Sequence, residues 1–462
     1  MNAPRYLSQN DAIMWTVEAD PLLRSTILAI VELDHEPDWD ALCARVCLAI
    51  TNVPALRERV VSVPAHPSSF RWVPEPDVDL AYHLRRLVAP APGGEGELLD
   101  LARTIAASGF DRARPLWEFT LVEGLAKGRA ALVMKTHHVV TDGIGAVQLA
   151  LQLFDLTAEA SDHPSPDAGH PSDDAVHVPS VAELFRDALV HDVADAASVV
   201  RRALPAVLPT VLRVLRDPLH AAVETAETLA SVGRTIAPVS STLSTVMVDR
   251  HMASCFGTID VSLDAMRAAA SVAGGTVNDV FLGAITGGLR RYHDQFGVDV
   301  EELRVAMPVS IRVSDDPAGG NHVSVLRFKV PVGVDEPEER VRRLHEIGRH
   351  IRAERSLPHT ETIAGGLNLV PRGVIGSMLK KVDFLASNVP GMPVPMWLCG
   401  VGVERFIPFG PTAGAAVNVT MMSYQRRCSI GVNMDTAAVV DAEAFMACLR
   451  AGFDEVFAIA PG

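Results

Sequence analysis

GRAALVMKTHHVVTDG, residues 128–143, runs an apolar segment into two adjacent histidines and then into a turn. Ala130 to Val133 followed by Lys135 and Thr136 reads as a strand, and Gly143 permits the backbone conformations of a tight loop. Beyond it Ile144, Val147, Leu151 and Phe154 recur at helical spacing. Upstream, Trp117, Phe119 and Leu121 alternate with more polar neighbours as a half-buried strand does. Further out, RSTILAIVEL (Arg24 to Leu33) reads as another strand, and Trp39, Leu42, Val46 and Ile50 as a helix. The loop thus lies inside a mixed α/β unit spanning residues 1–156.

From Thr157 to Ser180 the composition changes to proline, acid and small polar residues without periodicity, the pattern of a solvated linker. Val181 to about Val232 is helical in pattern. RRALPAVLPTVLRVLR (Arg201 to Arg216) fits either a packed connecting helix or one lying on a lipid surface. Residues 157–250 are therefore expected to connect two units. The second, 251–462, alternates strand-like segments (CFGTIDVSL, LRVAMPV, HVSVLRFKVPV, AAVNVTMMSY, CSIGVNMD) with helical ones. The expected fold class is α/β, mixed α+β, with two similar layers of sheet and helix.

Composition narrows the function. Lys plus Arg number 41 against 56 Asp plus Glu, a formal charge of −15, which excludes a nucleic-acid protein relying on a basic surface. Hydrophobic residues reach 48% and the mean hydropathy is +0.20, too apolar for a disordered chain. The uncharged stretch near the C-terminus is broken by Pro408, Gly410, Pro411 and Gly414, so it reads as a turn and a strand rather than a membrane span. The N-terminus lacks an apolar signal core, and six cysteines without a CxxC pair suit free thiols, so a cytoplasmic location is expected.

HHVVTDG carries the chemistry: His137, His138, Asp142 and Gly143. One ring of an adjacent pair can face a cleft while the other is packed, and an imidazole with a pKa of ~6.5 accepts a proton near neutral pH. Asp142 could orient a ring or fix the loop through an arginine. Composition gives only ~0.002 chance matches to HHxxxDG in such a chain, so the pattern is informative. The bland alternative is a surface loop whose Asp caps the next helix. The three side chains lie too close in sequence to spread around a metal, and no second Cys/His cluster assists, so no metal is expected. HEIGRH (His345 to His350) misses HExxH by one residue and reads as a solvated helix face. Motifs for dinucleotides, P-loop phosphates and serine nucleophiles are absent. A histidine base without a neighbouring Ser or Cys points to direct attack by a substrate's hydroxyl or amine.

HHVVTDG, preceded by RPLWEFTLVEGL (Arg114 to Leu125), resembles the bacterial wax ester synthase/diacylglycerol acyltransferase family, within the chloramphenicol acetyltransferase-like and condensation-domain superfamily. TVNDVFLGAI (with Asn278 and Asp279), MPVSIR (Met307 to Arg312), SNVPG (Ser387 to Gly391) and LSQND near the start are similar to its further segments. SNVPGMP departs from it in lacking a second Pro directly after the Gly. The resemblance implies two chloramphenicol acetyltransferase-like domains with a tunnel between them. It implies His138 as general base, acyl-CoA as co-substrate with no cofactor, and diacylglycerol or a fatty alcohol as acceptor. Asp142 would be mainly structural, paired with Arg312. Pro115, Leu116 and Trp117 would shape the tunnel or simply be core. Asn278 is the candidate oxyanion donor, with Asp279 beside it, and Ser387 and Asn388 would contact acyl-CoA or brace a turn. Peripheral contact with a membrane or lipid droplet follows from such substrates. The rival expectations are a transferase for a polyketide, sugar or amine, and a non-catalytic lipid-binding relative.

Overall fold

β1 (Thr26–Leu33) buries Leu28 and Ile30 on one face and Val31 and Leu33 on the other. A strand apolar on both faces belongs in mid-sheet, with partners on each side and cover above and below. In the computed structural model, which describes residues 4–63, 66–140, 149–159, 179–188, 241–310, 323–352 and 372–460, that is where it lies. β6 (Ala130–His137) pairs antiparallel on one side, followed by β5 (Trp117–Glu123) and β4 (Leu84–Val88). On the other side lies β12 (Val401–Phe409), edged by β11 (Trp397–Leu398). α2 (Trp39–Asn52) covers one face through Leu42, Val46 and Ala49, and α4 (Glu95–Ala107) covers the other through Leu98 and Ala102.

The crossing of β11 and β12 corrects the expectation of a contiguous unit over 251–462. Phe406, Ile407 and Phe409 are buried on β12, and the register Leu28↔Phe409 to Val31↔Phe406 supplies the second neighbour that β1 needs. Arg405 on the same strand joins the two units. Its guanidinium lies 2.7 Å from Glu32 of β1, 2.6 Å from Glu95 of α4 and 2.7 Å from Asp260 of β7 (Ser254–Ser262).

The second sheet runs β7, β14 (Arg427–Asp435), β13 (Val417–Tyr424), β10 (Phe384–Val389), β8 (Glu302–Ser310) and β9 (Val323–Pro331). β10 is parallel to both neighbours and the remaining pairs are antiparallel. Its main core packs against α5 (Leu263–Ala273), α6 (Val277–Asp294) and α9 (Ala442–Phe457). A side chain at Gly288 would come within 2.8 Å of the Leu449 Cα, so glycine there lets α6 and α9 touch along their backbones.

α7 (Pro337–Arg352), which contains HEIGRH, is not simply a solvated face. Arg340 is fully buried against Glu455 of α9, and the His345 Nδ1 lies 2.8 Å from the buried Asp279 carboxylate. Of the connecting region, residues 157–159, 179–188 and 241–250 are described, and the latter two stretches pack: Arg71 pairs with Asp187 at 2.9 Å, and Leu243 and Ser244 donate to Asp383. Among the described residues no single helix is long and apolar enough to cross a bilayer. α5 and α6 reach the length and composition only together, bent by 94°.

Candidate active site

The register that pairs Thr26 with His137 carries β6 to its last residue, and there the chain turns. The His137 N–H donates to the Leu116 carbonyl (3.0 Å), the His138 N–H to Ser25 (2.9 Å), and the Val140 N–H back to His137 (2.9 Å). Both histidines are thus held by backbone before their rings are considered.

The rings differ. His137 is 1% exposed, with Trp15 and Phe110 packed edge-on at 5.5 and 5.9 Å. Its Nδ1 accepts the Val139 N–H at 3.1 Å, and its Nε2 lies 3.0 Å from Glu18 Oε1. A nitrogen that accepts an amide proton carries none itself, so the neutral ring keeps its proton on Nε2, facing the carboxylate. His137 therefore has no nitrogen left for substrate. His138 is only half-buried.

Glu18 closes α1 (Gln9–Val17). It accepts the Ser25 N–H at 2.5 Å and Arg112 Nη2 at 3.1 Å, while Arg112 stacks on Trp15 at 4.1 Å. Burial favours its neutral form, but the His137 ring, the Ser25 amide and the Arg112 guanidinium outweigh that and hold the carboxyl below the ordinary glutamate range. The LSxxD segment acquires a physical meaning here. Ser8 Oγ accepts the Asp11 N–H at 3.1 Å and donates to the Asp11 carboxylate at 2.8 Å, starting the helix that delivers Trp15 and Glu18 to His137. Val17 and Ala19, flanking Glu18, line a cavity of about 640 Å³ shared with Arg250 and with Gly376 and Lys380 around α8 (Arg372–Leu379).

The other expected site residues divide between the two sheets. Leu116 and Pro115 are buried, and Leu116 holds the histidine turn directly. Trp117 is core: fully buried, it donates its indole N–H to the Leu56 carbonyl (2.8 Å) and stacks on His83 at 4.5 Å. Asn278 lies in the first turn of α6, its carboxamide 3.9 Å from the Met307 sulfur. Asp279 caps that helix, accepting the Thr276 N–H and hydroxyl at 2.8 Å each, and also faces His345. Ser387 and Asn388 lie half-buried at the end of β10, opposite Thr420 and Met421. A Cβ on Gly391 would fall 1.8 Å from the Ser423 carbonyl oxygen, so only glycine fits after that strand. Asp142, Gly143 and Arg312 lie outside the described residues.

Sequence reading missed Glu18, Trp15, Phe110 and Arg112. LSxxD marked the start of the helix that carries Trp15 and ends at Glu18, but nothing local marked Glu18 as the partner of a residue 119 positions away. Among the described residues no group of three His, Cys, Asp or Glu side chains could hold a metal. All six cysteines are free, and burial raises each thiol, Cys399 and Cys428 to about 11.

The wax ester synthase/diacylglycerol acyltransferase catalytic-domain profile matches residues 7–281, and the WS/DGAT C-terminal-domain profile matches residues 319–456. A protein of Mycobacterium tuberculosis (strain H37Rv), provisionally named a diacylglycerol O-acyltransferase, is 35% identical over 457 residues, covering 98% of this chain and 91% of its own. A second from the same strain, similarly named, is 27% identical over 477 residues, covering 99% and 98%. Among solved structures, the wax ester synthase/diacylglycerol acyltransferase of Marinobacter aquaeolei VT8 aligns with a TM-score of 0.64 at 20% identity over 98% of both chains. The first condensation domain of the calcium-dependent antibiotic synthetase aligns at 0.62 and 15% identity, over 99% of this chain and 97% of that one. The fold is that of the two-domain chloramphenicol acetyltransferase-like proteins, and with both profiles matched in order along its length the chain belongs to the wax ester synthase/diacylglycerol acyltransferase family.

Proposed function

We propose that this chain is an acyl-CoA-dependent O-acyltransferase that esterifies diacylglycerol, long-chain alcohols or both, with His138 as general base. The observation that carries the reading is the histidine pair at the exit of β6: His137 is engaged by Val139 and Glu18, and the half-buried His138 follows it on the turn. His138 takes the proton of the acceptor hydroxyl as its oxygen attacks the thioester carbonyl. The tetrahedral intermediate then collapses, the carbon–sulfur bond breaks, and the protonated ring returns its proton to the departing thiolate of CoA. Family membership and the names of the relatives support acyl transfer to a lipid acceptor. The thiols support direct attack, since burial disfavours the thiolate a covalent acyl-enzyme would need. Acyl-CoA is the co-substrate and no cofactor enters the reaction. The lipid acceptor is met at the cytoplasmic face of a membrane or droplet.

Incubation with labelled palmitoyl-CoA and a panel of diacylglycerol, hexadecanol, a sugar and an amine, with thin-layer separation, tests this reading. Labelled triacylglycerol or wax ester is expected, and the protein's mass should not change with acyl-CoA alone. Label appearing only in the sugar or amine product, or only as free fatty acid, would overturn it.

A further inference from the structure

We infer that Glu18 is a positioning residue for the acyl-transfer site: its carboxylate fixes the His137 tautomer and, through it, the turn that presents His138. This inference rests on the proposed acyl transfer for its kinetic part and on geometry alone for its structural part. The geometry is a closed circuit around His138. Glu18 Oε1 lies 3.0 Å from His137 Nε2 and accepts the Ser25 N–H at 2.5 Å. The Ser25 carbonyl in turn receives the His138 N–H at 2.9 Å, and His137 Nδ1 receives the Val139 N–H at 3.1 Å. One carboxylate therefore holds both backbone neighbours of His138, the ring before it in sequence and the strand residue beside it in space.

The charge on Glu18 gives the circuit its direction. An ionised carboxylate only accepts, so the proton of a neutral His137 must lie on Nε2 and the Nδ1 lone pair must face Val139. Against its burial, the His137 ring, the Ser25 amide and, last, the Arg112 guanidinium stacked on Trp15 favour the ionised Glu18. Without the carboxylate the Val139 N–H alone is left to favour Nε2–H. In the other tautomer the Nδ1 proton would meet the Val139 N–H, two donors face to face, and the turn would open. Trp15 and Phe110 keep the ring in place but offer no acceptor to set its proton. Glu18 acts through His137 and Ser25, not on substrate.

Two variants and one spectrum test this. In Glu18→Ala the turnover of labelled palmitoyl-CoA with diacylglycerol should fall about 10–100-fold, while KM for palmitoyl-CoA changes less than about threefold. Glu18→Gln should recover part of that loss, because its carbonyl oxygen can still accept from Ser25 and face His137, while its NH2 meets the Arg112 guanidinium donor to donor and displaces it. In ¹⁵N-histidine-labelled protein, the His137 signals, assigned by their loss in His137→Asn, should show protonated Nε2 and bare Nδ1 in the wild type. Glu18→Ala should show a mixture of tautomers. A wild-type ring protonated on Nδ1, an unchanged tautomer in Glu18→Ala, or unaltered turnover in that variant would overturn the inference. Should Glu18→Ala not fold, the wild-type spectrum and Glu18→Gln still decide. Should the wild type esterify nothing in the panel, the function reading fails while the tautomer measurement continues to judge the positioning.

Discussion

At the end of β6 the chain leaves the first sheet through His137 and His138; at the end of β10 it leaves the second through Ser387, Asn388 and the Val389–Pro390–Gly391 turn. Both strands lie inside six-stranded mixed sheets. The first exit is backed by a charged and aromatic layer, Glu18, Arg112, Trp15 and Phe110, that fixes protons. The second is backed by close contact, Gly391 against the Ser423 carbonyl, that fixes only shape. Buried charge in the second unit serves architecture: Asp279 caps α6, Asp383 anchors residues 243–244, and Glu455 binds Arg340 and Arg291. Two similar scaffolds have been put to different uses, proton handling in one and contour in the other.

The sharpest way to break that contrast is at the histidines. His138→Ala should lower acyl transfer by about 10³-fold or more at unchanged stability, the scale of a lost general base. His137→Ala should lose less activity but more stability, because it strands Glu18 and the Val139 amide. Equal effects of the two on turnover and melting temperature would erase the distinction between the rings.

Arg405→Leu tests how strongly the halves depend on each other. It removes the cation shared by Glu32, Glu95 and Asp260, and should cost about 3 kcal/mol in urea unfolding. The low end of the range for a broken buried pair is expected because Arg129 stays 3.4 Å from Glu32. A cost confined to one half, read as separated transitions, would show that β12 belongs wholly to the first unit.

Gly391→Ala drives a methyl into the Ser423 carbonyl and should cost about 2–3 kcal/mol, the price of overpacking. Its effect on activity should appear mainly in KM for acyl-CoA, since the proton-handling layer is untouched. A pure fall in kcat would move the second exit into the chemistry.

The smallest effect is on acid stability. Because the folded Glu18 carboxyl lies below its ordinary value of 4.5, its contribution is complete above that pH and is lost as the pH falls through the lower folded value. Glu18→Gln should therefore show a shallower decline in melting temperature below about pH 4.5 than the wild type. Parallel curves would place no depressed acid at this position.

Local signals were read well where neighbours in sequence set the structure. The apolar run of β1, the strand at β5 and the helical spacing of α2 lie where periodicity placed them, although β5 is buried on both faces rather than half-buried. The ND segment was legible in part: Thr276 three residues before Asp279 is a capping pair, and the helix begins there, but its His345 partner is 66 residues away. The family resemblance left Trp117 as tunnel wall or core, and only the Leu56 carbonyl and the His83 ring made it core.

By itself the sequence determined the mixed α/β class, the strand–histidine–turn unit and the family resemblance, because these rest on spacing within some twenty residues, where backbone geometry and side-chain period are coupled. Only the tertiary structure decided which histidine is locked, that Glu18 locks it, and that residues 401–409 complete the first sheet. Those outcomes depend on contacts between residues 119 and more than 370 positions apart, Glu18 with His137 and β1 with β12. Strand register and the choice of a hydrogen-bond partner are settled by which surfaces fit together and exclude water, and no local pattern encodes that fit.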